Sequence, residues 1–189
     1  MSGNEKKEFG DYQTPPEFCE KVCKYIAEKH IAEGLDVMLE PTCGIGNFLE
    51  AAEKLLHFKR ICGVEINPAY VNQARQKCPT ASILQENIFE VSTNEFCGTK
   101  NVLVLGNPPW VNSSSKTSNL PIKQNFKGLR GIEAITGASN FDICEYIILK
   151  LMDEYKNTNS AICTLCKTTV ARNILMEMAR RKIAYRRVK

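Results

Sequence analysis

Short apolar runs alternate with longer amphipathic stretches along most of the chain. The runs are rich in Val, Ile and Leu and are bounded by Gly, Pro or charged residues, which is typical of buried parallel strands. Five strands are predicted, at residues 35–40, 60–66, 81–84, 102–106 and 160–166. Strands that alternate with helices through short connections predict an α/β fold, with a doubly wound, mostly parallel sheet and helices on both faces.

Helices are predicted between these strands, at about 15–30, from about 47, at 68–77, from 140 and at 169–182. Thr14 can cap the first helix, with Pro15 at its first position and Glu17 completing a capping box. The residues predicted to face inward are Phe18, Val22 and Ile26 in that helix and Ile174, Leu175 and Met178 in the last one.

Charge is unevenly distributed, although the net charge of the 189 residues is only +4. Residues 1–99 carry 10 Lys and Arg against 15 Asp and Glu, whereas residues 100–189 carry 15 against 6. The basic second half favours a polyanionic partner, with solvated helix faces as the alternative explanation.

Cysteine usage and hydropathy indicate a cytoplasmic protein without membrane segments. The apolar runs are too short to span a bilayer, and the polar N-terminus has no signal-peptide core. The nine Cys lie mostly in apolar segments, which favours reduced thiols. Cys163 and Cys166 lie three apart in a predicted strand and face opposite sides, so packing is favoured over zinc and no metal site is expected.

The stretch Asn107-Pro108-Pro109-Trp110 follows the strand predicted at 102–106. Its prolines keep the chain extended, so a rigid loop stands at the carboxyl end of a strand, where open α/β sheets bind ligands. The Asn107 amide, the Pro108 carbonyl and the Trp110 indole suit one task, which is to accept hydrogen bonds from a planar amine and stack on its ring. A proline-rich turn with Trp filling a gap is the alternative.

Acidic residues end the first two predicted strands, beside a glycine loop. Gly44 and Gly46 allow a tight turn close to a ligand. Leu49 replaces the third glycine of a dinucleotide fingerprint, and Glu40 would repel a pyrophosphate, which argues against a nicotinamide dehydrogenase. Glu40 suits a cationic ligand group instead. Glu65 lies where α/β folds place a carboxylate on ribose hydroxyls, with a surface carboxylate as the alternative.

Two further stretches carry polar candidates whose roles stay open. Asn87, after the third predicted strand, can bond a base edge or cap a turn. Residues 111–139 form a long polar segment, which is typical of a functional or a disordered loop. Its candidate phosphate contacts are Lys116, Lys123, Lys127 and Arg130.

The order and spacing of these motifs resemble the amino (gamma-type) class of S-adenosylmethionine-dependent DNA adenine-N6 methyltransferases, found in restriction–modification systems. The resemblance runs from about Tyr12 to the end of the chain. It implies a Rossmann-like methyltransferase fold, S-adenosylmethionine as the cofactor, DNA as the partner, and methyl transfer to the N6 amine of adenine.

The resemblance also implies roles for residues at matching positions. Asn107 through Trp110 matches the catalytic motif. Tyr12 and Thr14 would contact the methionine carboxylate of the cofactor, and Glu40 its ammonium group. Asn87 stands where the family usually has Asp, which keeps an acceptor for the adenine amine and removes a charge. The other implied cofactor-binding residues are Pro41, Gly44, Gly46, Phe48, Glu65, Ile66, Ile88 and Phe141, with Glu65 on the ribose and Ile66 and Phe141 on the adenine ring.

In this family the sheet continues past the fifth strand and a separate target-recognition domain follows. We therefore expect a flexible tail at 1–10 and, at 11–189, a partial catalytic domain lacking the C-terminal strands and the target-recognition domain. We expect 111–139 to be a mobile substrate-side loop. The exposed sheet edge would need a C-terminal segment or a specificity subunit.

Two rival functions keep the same fold. A protein glutamine-N5 methyltransferase is similar in its motifs but usually carries Tyr where Trp110 stands, and the basic second half favours nucleic acid. A non-catalytic, cofactor-binding remnant or subunit would bind the cofactor and work only with a partner.

Overall fold

The structure is a computed structural model that describes residues 12–110 and 142–184. The predictions for the tail at 1–10 and the loop at 111–139 lie outside these residues. The same holds for the candidate contacts Lys116, Lys123, Lys127, Arg130 and Phe141.

Five parallel strands form one sheet: β1 (Val37–Glu40), β2 (Arg60–Glu65), β3 (Ser82–Gln85), β4 (Val102–Gly106) and β5 (Ala161–Thr164). Their order is β3-β2-β1-β4-β5, and every neighbouring pair runs parallel. The predicted α/β fold is confirmed, and every strand boundary lies within two residues of its prediction. The chain order reverses between β1 and β4, so their carboxyl ends form the switch point where such sheets bind ligands.

Helices cover both faces of this sheet. They are α1 (Pro16–Glu28), α2 (Asn47–Leu55), α3 (Pro68–Lys77), α4 (Thr93–Cys97), α5 (Ile143–Tyr155) and α6 (Thr168–Arg181), with a 3₁₀ turn at Ile88–Glu90. The core on one face joins α1, α2 and α3 to side chains such as Met38 and Leu103. The core on the other face joins α4 and α5 to the alternate strand residues, such as Leu39 and Val104, and α6 packs against α5. The 3₁₀ turn and α4 were not predicted.

The predicted inward faces of the first and last helices are partly wrong. In α1 the buried residues are Cys19, Cys23 and Ile26, whereas Phe18 is 43% exposed. Free Cys is among the most buried residue types, and these two thiols form the inner stripe that Phe18 was expected to form. In α6, Leu175 is 41% exposed.

The predicted capping box at the start of α1 is also wrong. The N-cap residue is Pro15, and no side chain caps the helix. The backbone carbonyl of Pro15 instead accepts from the N–H groups of Phe18 and Cys19. The hydroxyl of Thr14 is therefore available for another contact, which lies in the site.

Candidate cofactor and substrate site

The carboxyl ends of three strands bring three predicted side chains to one edge of the sheet. Glu40 ends β1, Glu65 ends β2 and Asn107 follows β4 directly. A Cβ placed on Gly106 would lie 3.3 Å from Glu40 Cγ, so the end of β4 passes directly against Glu40. We call Glu40, Glu65 and Asn107 the strand-end cluster.

Glu40 is a buried carboxyl group with an unsatisfied oxygen. The residue is 4% exposed, and its Oε2 has no hydrogen-bond partner within the described part of the chain. Burial raises the pKa of Glu40 well above its ordinary value, and the nearby Glu65 carboxylate raises it further, while the backbone of Leu49 acts in the opposite direction. A cationic group placed here would supply a charge partner that the described part of the chain does not.

The glycine loop between β1 and α2 is fixed by side chains that come from elsewhere. Glu65 accepts hydrogen bonds from the N–H of Gly44 and of Asn67, both at 2.8 Å. Gln13 Oε1 accepts from the N–H of Ile45 at 3.1 Å. Gly44 has a φ of +52°, which favours glycine, and a Cβ there would lie 2.3 Å from Gln13 Oε1, so a larger residue would strain the backbone and displace the Gln13 side chain.

The side-chain amide of Asn107 is held by one of its two ends. Asn107 Nδ2 donates to the hydroxyl oxygen of Thr14 at 3.2 Å. Asn107 Oδ1 is buried and has no hydrogen-bond partner among residues 12–110 and 142–184. The acceptor end of the amide is therefore open to a donor that the described residues do not provide. Beyond it, Pro108 is buried and Trp110 is 46% exposed.

The N-terminal segment Gln13–Thr14 lies over both loops. Besides the contacts to Ile45 and Asn107, the backbone carbonyl of Thr14 accepts from Asn47 Nδ2 at 2.7 Å. Lys77 Nζ in turn contacts Asn47 Oδ1. Sequence reasoning missed Gln13, Asn47 and Lys77, because their partners lie about 30 residues or more away and no local pattern announces the pairing.

The other predicted cofactor residues differ in how exposed their side chains are. Tyr12 and Ile66 are exposed apolar side chains, with Ile66 59% exposed directly after β2. Phe48 and Ile88 instead have side chains buried in the core. Asn87 Oδ1 accepts from the N–H of Phe89 at 3.1 Å, so it caps the 3₁₀ turn, which is one of the two roles left open.

Cys163 and Cys166 are partly buried thiols at the end of β5 and just after it. Burial raises the pKa of Cys163 to about 11, so its thiol stays protonated at neutral pH. Within the described ranges, no group of three or more His, Cys, Asp or Glu is arranged to hold a metal ion. Among the helices of residues 12–110 and 142–184, none is long and apolar enough to cross a membrane.

Sequence comparison finds two curated relatives. The chain is 39% identical over 185 residues to the Type II methyltransferase M.NspV of Nostoc sp., which covers 90% of this chain and 38% of the relative. It is 30% identical over 110 residues to the Type II methyltransferase M.CvrRI of Paramecium bursaria Chlorella virus XZ-6E, which covers 58% of this chain and 27% of the relative. The chain thus spans less than half the length of these relatives. No protein-family model matches it.

Structure comparison supports the fold. A candidate RNA methyltransferase of Pyrococcus horikoshii, PH1948, superposes with a TM-score of 0.52 at 16% identity, covering 89% of this chain and 70% of that one. At this identity the likeness concerns the Rossmann-like methyltransferase fold alone. The sequence comparison confirms the resemblance to restriction–modification methyltransferases, and with it S-adenosylmethionine as the cofactor of the class. The chain is a homologue of Type II methyltransferases over nine-tenths of its length.

Proposed function

We propose that this chain is the catalytic part of a DNA methyltransferase of the restriction–modification type, which transfers a methyl group from S-adenosylmethionine to the N6 amine of adenine. The observation that carries the proposal is the buried, unpartnered Asn107 Oδ1 at the end of β4. An acceptor without a donor, held at the switch point of the sheet against Glu40, suits a substrate that brings an amine.

The cofactor fits the residues on the other side of this acceptor. Glu40 offers an unsatisfied carboxyl oxygen to the ammonium group, and Gly44 permits a close approach of the backbone. Thr14 and Tyr12 would contact the carboxylate, and Glu65 the ribose. The exposed side chain of Ile66 would pack on the adenine ring, with Pro41, Ile88 and Asn87 nearby in the chain order of the family.

In this arrangement, Glu65 holds the glycine loop in its shape before the cofactor binds. Its two carboxylate oxygens already accept backbone N–H groups at 2.8 Å, one of them from the glycine loop. Each oxygen has further acceptor capacity, so the carboxylate can hold the loop and still accept ribose hydroxyls. The loop is therefore shaped before a ligand arrives, which lowers the ordering cost of binding.

The role of Asn107 and Pro108 in this reaction is to position the adenine amine. When bound, S-adenosylmethionine supplies a methyl group on a positively charged sulfur. Asn107 Oδ1 and the Pro108 carbonyl would accept hydrogen bonds from the two N–H groups of the adenine amine, so that its nitrogen lone pair turns from the ring towards the methyl group. The new nitrogen–carbon bond would form as the sulfur–carbon bond breaks, with S-adenosylhomocysteine as the leaving group and one amine proton released to solvent, while fixed dipoles supply the stabilisation.

Access to this pocket requires that the target adenine leave the duplex. Trp110 is 46% exposed beside Asn107 and can stack on the extruded ring. The positive charge of residues 100–189 suits the phosphate backbone, with Lys116, Lys123, Lys127 and Arg130 as the proposed contacts. Sequence choice would need a recognition segment outside 11–189 or a specificity subunit.

The test is transfer of labelled methyl from S-adenosylmethionine to unmethylated DNA, with cell protein extract as the competing acceptor. Label recovered as N6-methyladenine in DNA supports the proposal. Label on glutamine side chains in protein would overturn it in favour of the glutamine-N5 reaction. Absence of label from both, with calorimetry still detecting cofactor binding, would make the chain a binding subunit.

A further inference from the structure

Among the described residues, the hydroxyl of Thr14 is the side-chain group that holds the Asn107 amide. Asn107 Nδ2 donates to Thr14 Oγ1 at 3.2 Å, across 93 residues of sequence. The opposite end of the same amide, Oδ1, is buried and unpartnered among the described residues. The contact therefore decides which end of the amide is left without a partner among the described residues.

An unheld Asn amide does not keep one orientation. The last torsion of Asn is broad and roughly two-fold, so a half-turn exchanges the oxygen and the nitrogen at little cost. With the nitrogen turned inward, its N–H donors would face the donors of a substrate amine. The proposed reaction thus needs a group that selects one of the two orientations.

Thr14 is itself held firmly enough to make this selection. Its backbone carbonyl accepts from Asn47 Nδ2 at 2.7 Å, and the preceding Gln13 is tied to the N–H of Ile45 at 3.1 Å. On the other side, Pro15 fixes the backbone at the start of α1. The hydroxyl oxygen is consequently positioned by the cofactor loop rather than by the loop that carries Asn107.

We propose that Thr14 is a positioning residue that keeps Asn107 Oδ1 turned towards the substrate amine. The inference rests on the proposed function. The hydroxyl of Thr14 can also link the cofactor to Asn107. A hydroxyl has one proton, so it can accept one hydrogen bond while it donates another. If the proton is donated to the carboxylate of the bound cofactor, the oxygen can only accept from Asn107, so cofactor binding would lock the amide in its productive orientation.

The experiment compares Thr14→Val, which removes the hydroxyl at nearly constant shape, with Thr14→Ser, which keeps it. The first readout needs no catalysis: the side-chain amide signals of Asn107 in the NMR spectrum of the free, ¹⁵N-labelled full chain, identified by their absence in Asn107→Ala. We expect these signals to move or broaden in Thr14→Val and to stay close to wild type in Thr14→Ser.

The second readout is kcat at saturating S-adenosylmethionine, where weaker cofactor binding no longer matters. We expect Thr14→Val to lower kcat on the order of 10-fold to 100-fold, which is the scale of a misplaced reacting group, and Thr14→Ser to restore most of it. Thr80→Val is the matched control, since Thr80 is exposed and its hydroxyl contacts only Glu53 at the surface.

Two results would overturn the inference: Asn107 signals that are unchanged in Thr14→Val, or a Thr14→Ser enzyme as slow as Thr14→Val. A wild-type chain that transfers no methyl group to DNA would instead count against the proposed function. The NMR comparison would then still decide whether Thr14 orients the amide.

Discussion

Two polar clusters, one between two helices and one at the strand ends, differ in how well their hydrogen bonds are satisfied. The first joins α4 to α5, and we call Thr93, Lys150 and Glu154 the clamp. Lys150 Nζ donates to the backbone carbonyl of Val91 at 2.7 Å and contacts Glu154. Glu154 also accepts from the N–H of Thr93 at 2.9 Å and from its hydroxyl.

The strand-end cluster shows the opposite pattern. Glu40 Oε2 and Asn107 Oδ1 are buried and have no hydrogen-bond partners in the described ranges, while Glu65 holds the glycine loop. Native proteins satisfy nearly all buried polar groups, so two unsatisfied acceptors close together indicate a place for a ligand. We therefore propose that the clamp serves stability and the strand-end cluster serves binding.

The largest effect should follow from Asn107→Ala. Removing the acceptor should lower methyl transfer by about 100-fold to 1,000-fold, the usual scale for one preorganised group in a transition state, while cofactor binding measured by calorimetry stays within a few-fold of wild type. Asn101→Ala is the matched control, because Asn101 lies at the opposite end of β4 and contacts Asp36. Equal loss of binding and transfer would contradict the assigned role.

Lys150→Met should be the largest change in stability. It removes the charge partner of Glu154, which keeps its bonds from Thr93, and the side-chain donor to the Val91 carbonyl, so we expect the free energy of unfolding to fall by about 3 kcal/mol, measured by urea denaturation. Lys156→Met is the control, at the residue that follows α5: it breaks a solvent-accessible pair with Asp153 at 3.6 Å and should cost no more than about 0.5 kcal/mol. A similar loss of unfolding free energy in both variants would contradict a stabilising role of the clamp beyond that of a surface ion pair.

Glu40→Gln should separate stability from binding. The folded protein raises the pKa of Glu40, so it binds a proton more tightly than the unfolded chain. Wild-type stability should therefore fall as pH rises from the ordinary carboxyl pKa to the raised one, and Glu40→Gln should lose that decline. S-adenosylmethionine affinity should drop on the order of tenfold, because an amide cannot form a charge-assisted bond with an ammonium group.

The same residue predicts a pH dependence of cofactor binding. A bound ammonium group favours the ionised carboxylate, so binding should release a proton, and affinity should rise with pH until Glu40 is ionised in the free protein. Calorimetry in buffers of different ionisation heat measures this release. A wild type that releases no more protons than Glu40→Gln would remove Glu40 from the ammonium contact.

The smallest effect should come from Asn87→Asp, which restores the residue usual in the family. The Asp oxygen can still accept from the N–H of Phe89, so the 3₁₀ turn should persist. The added charge should strengthen a bond to the adenine amine of the cofactor by about 0.5–1 kcal/mol. Unchanged affinity in calorimetry would mean that Asn87 is a structural cap alone.

The sequence predicted the strands well and the helix surfaces less well. A short apolar run such as 102–106 is stable when it is buried between two helical layers. The positions of the strands in the sequence can therefore be predicted from the positions of these runs. The inner face of α1 was misjudged because Phe18 and Cys19 are neighbours, and either can define a helical stripe. Only the packing against α2 decides that the thiols of Cys19 and Cys23 point inward and Phe18 does not.

Local sequence patterns also gave a wrong prediction where one side chain could take either of two roles. Thr14 before two prolines and Glu17 has the form of a helix cap, yet its hydroxyl contacts Asn107. Gln13 carried no signal at all, although it fixes the glycine loop. Such contacts join residues far apart in sequence, and a single sequence does not reveal which distant side chains meet.

The sequence alone thus determined the α/β fold, the acidic strand ends and the Asn-Pro-Pro-Trp loop, because strand burial, turns and prolines act over a few neighbouring residues. The tertiary structure decided which of these groups are satisfied and which are left open. Glu65 and Asn87 found partners within the chain, while Glu40 Oε2 and Asn107 Oδ1 did not find any in its described part. That difference arises only when the strand ends converge, since burial removes the water that would otherwise serve as partner.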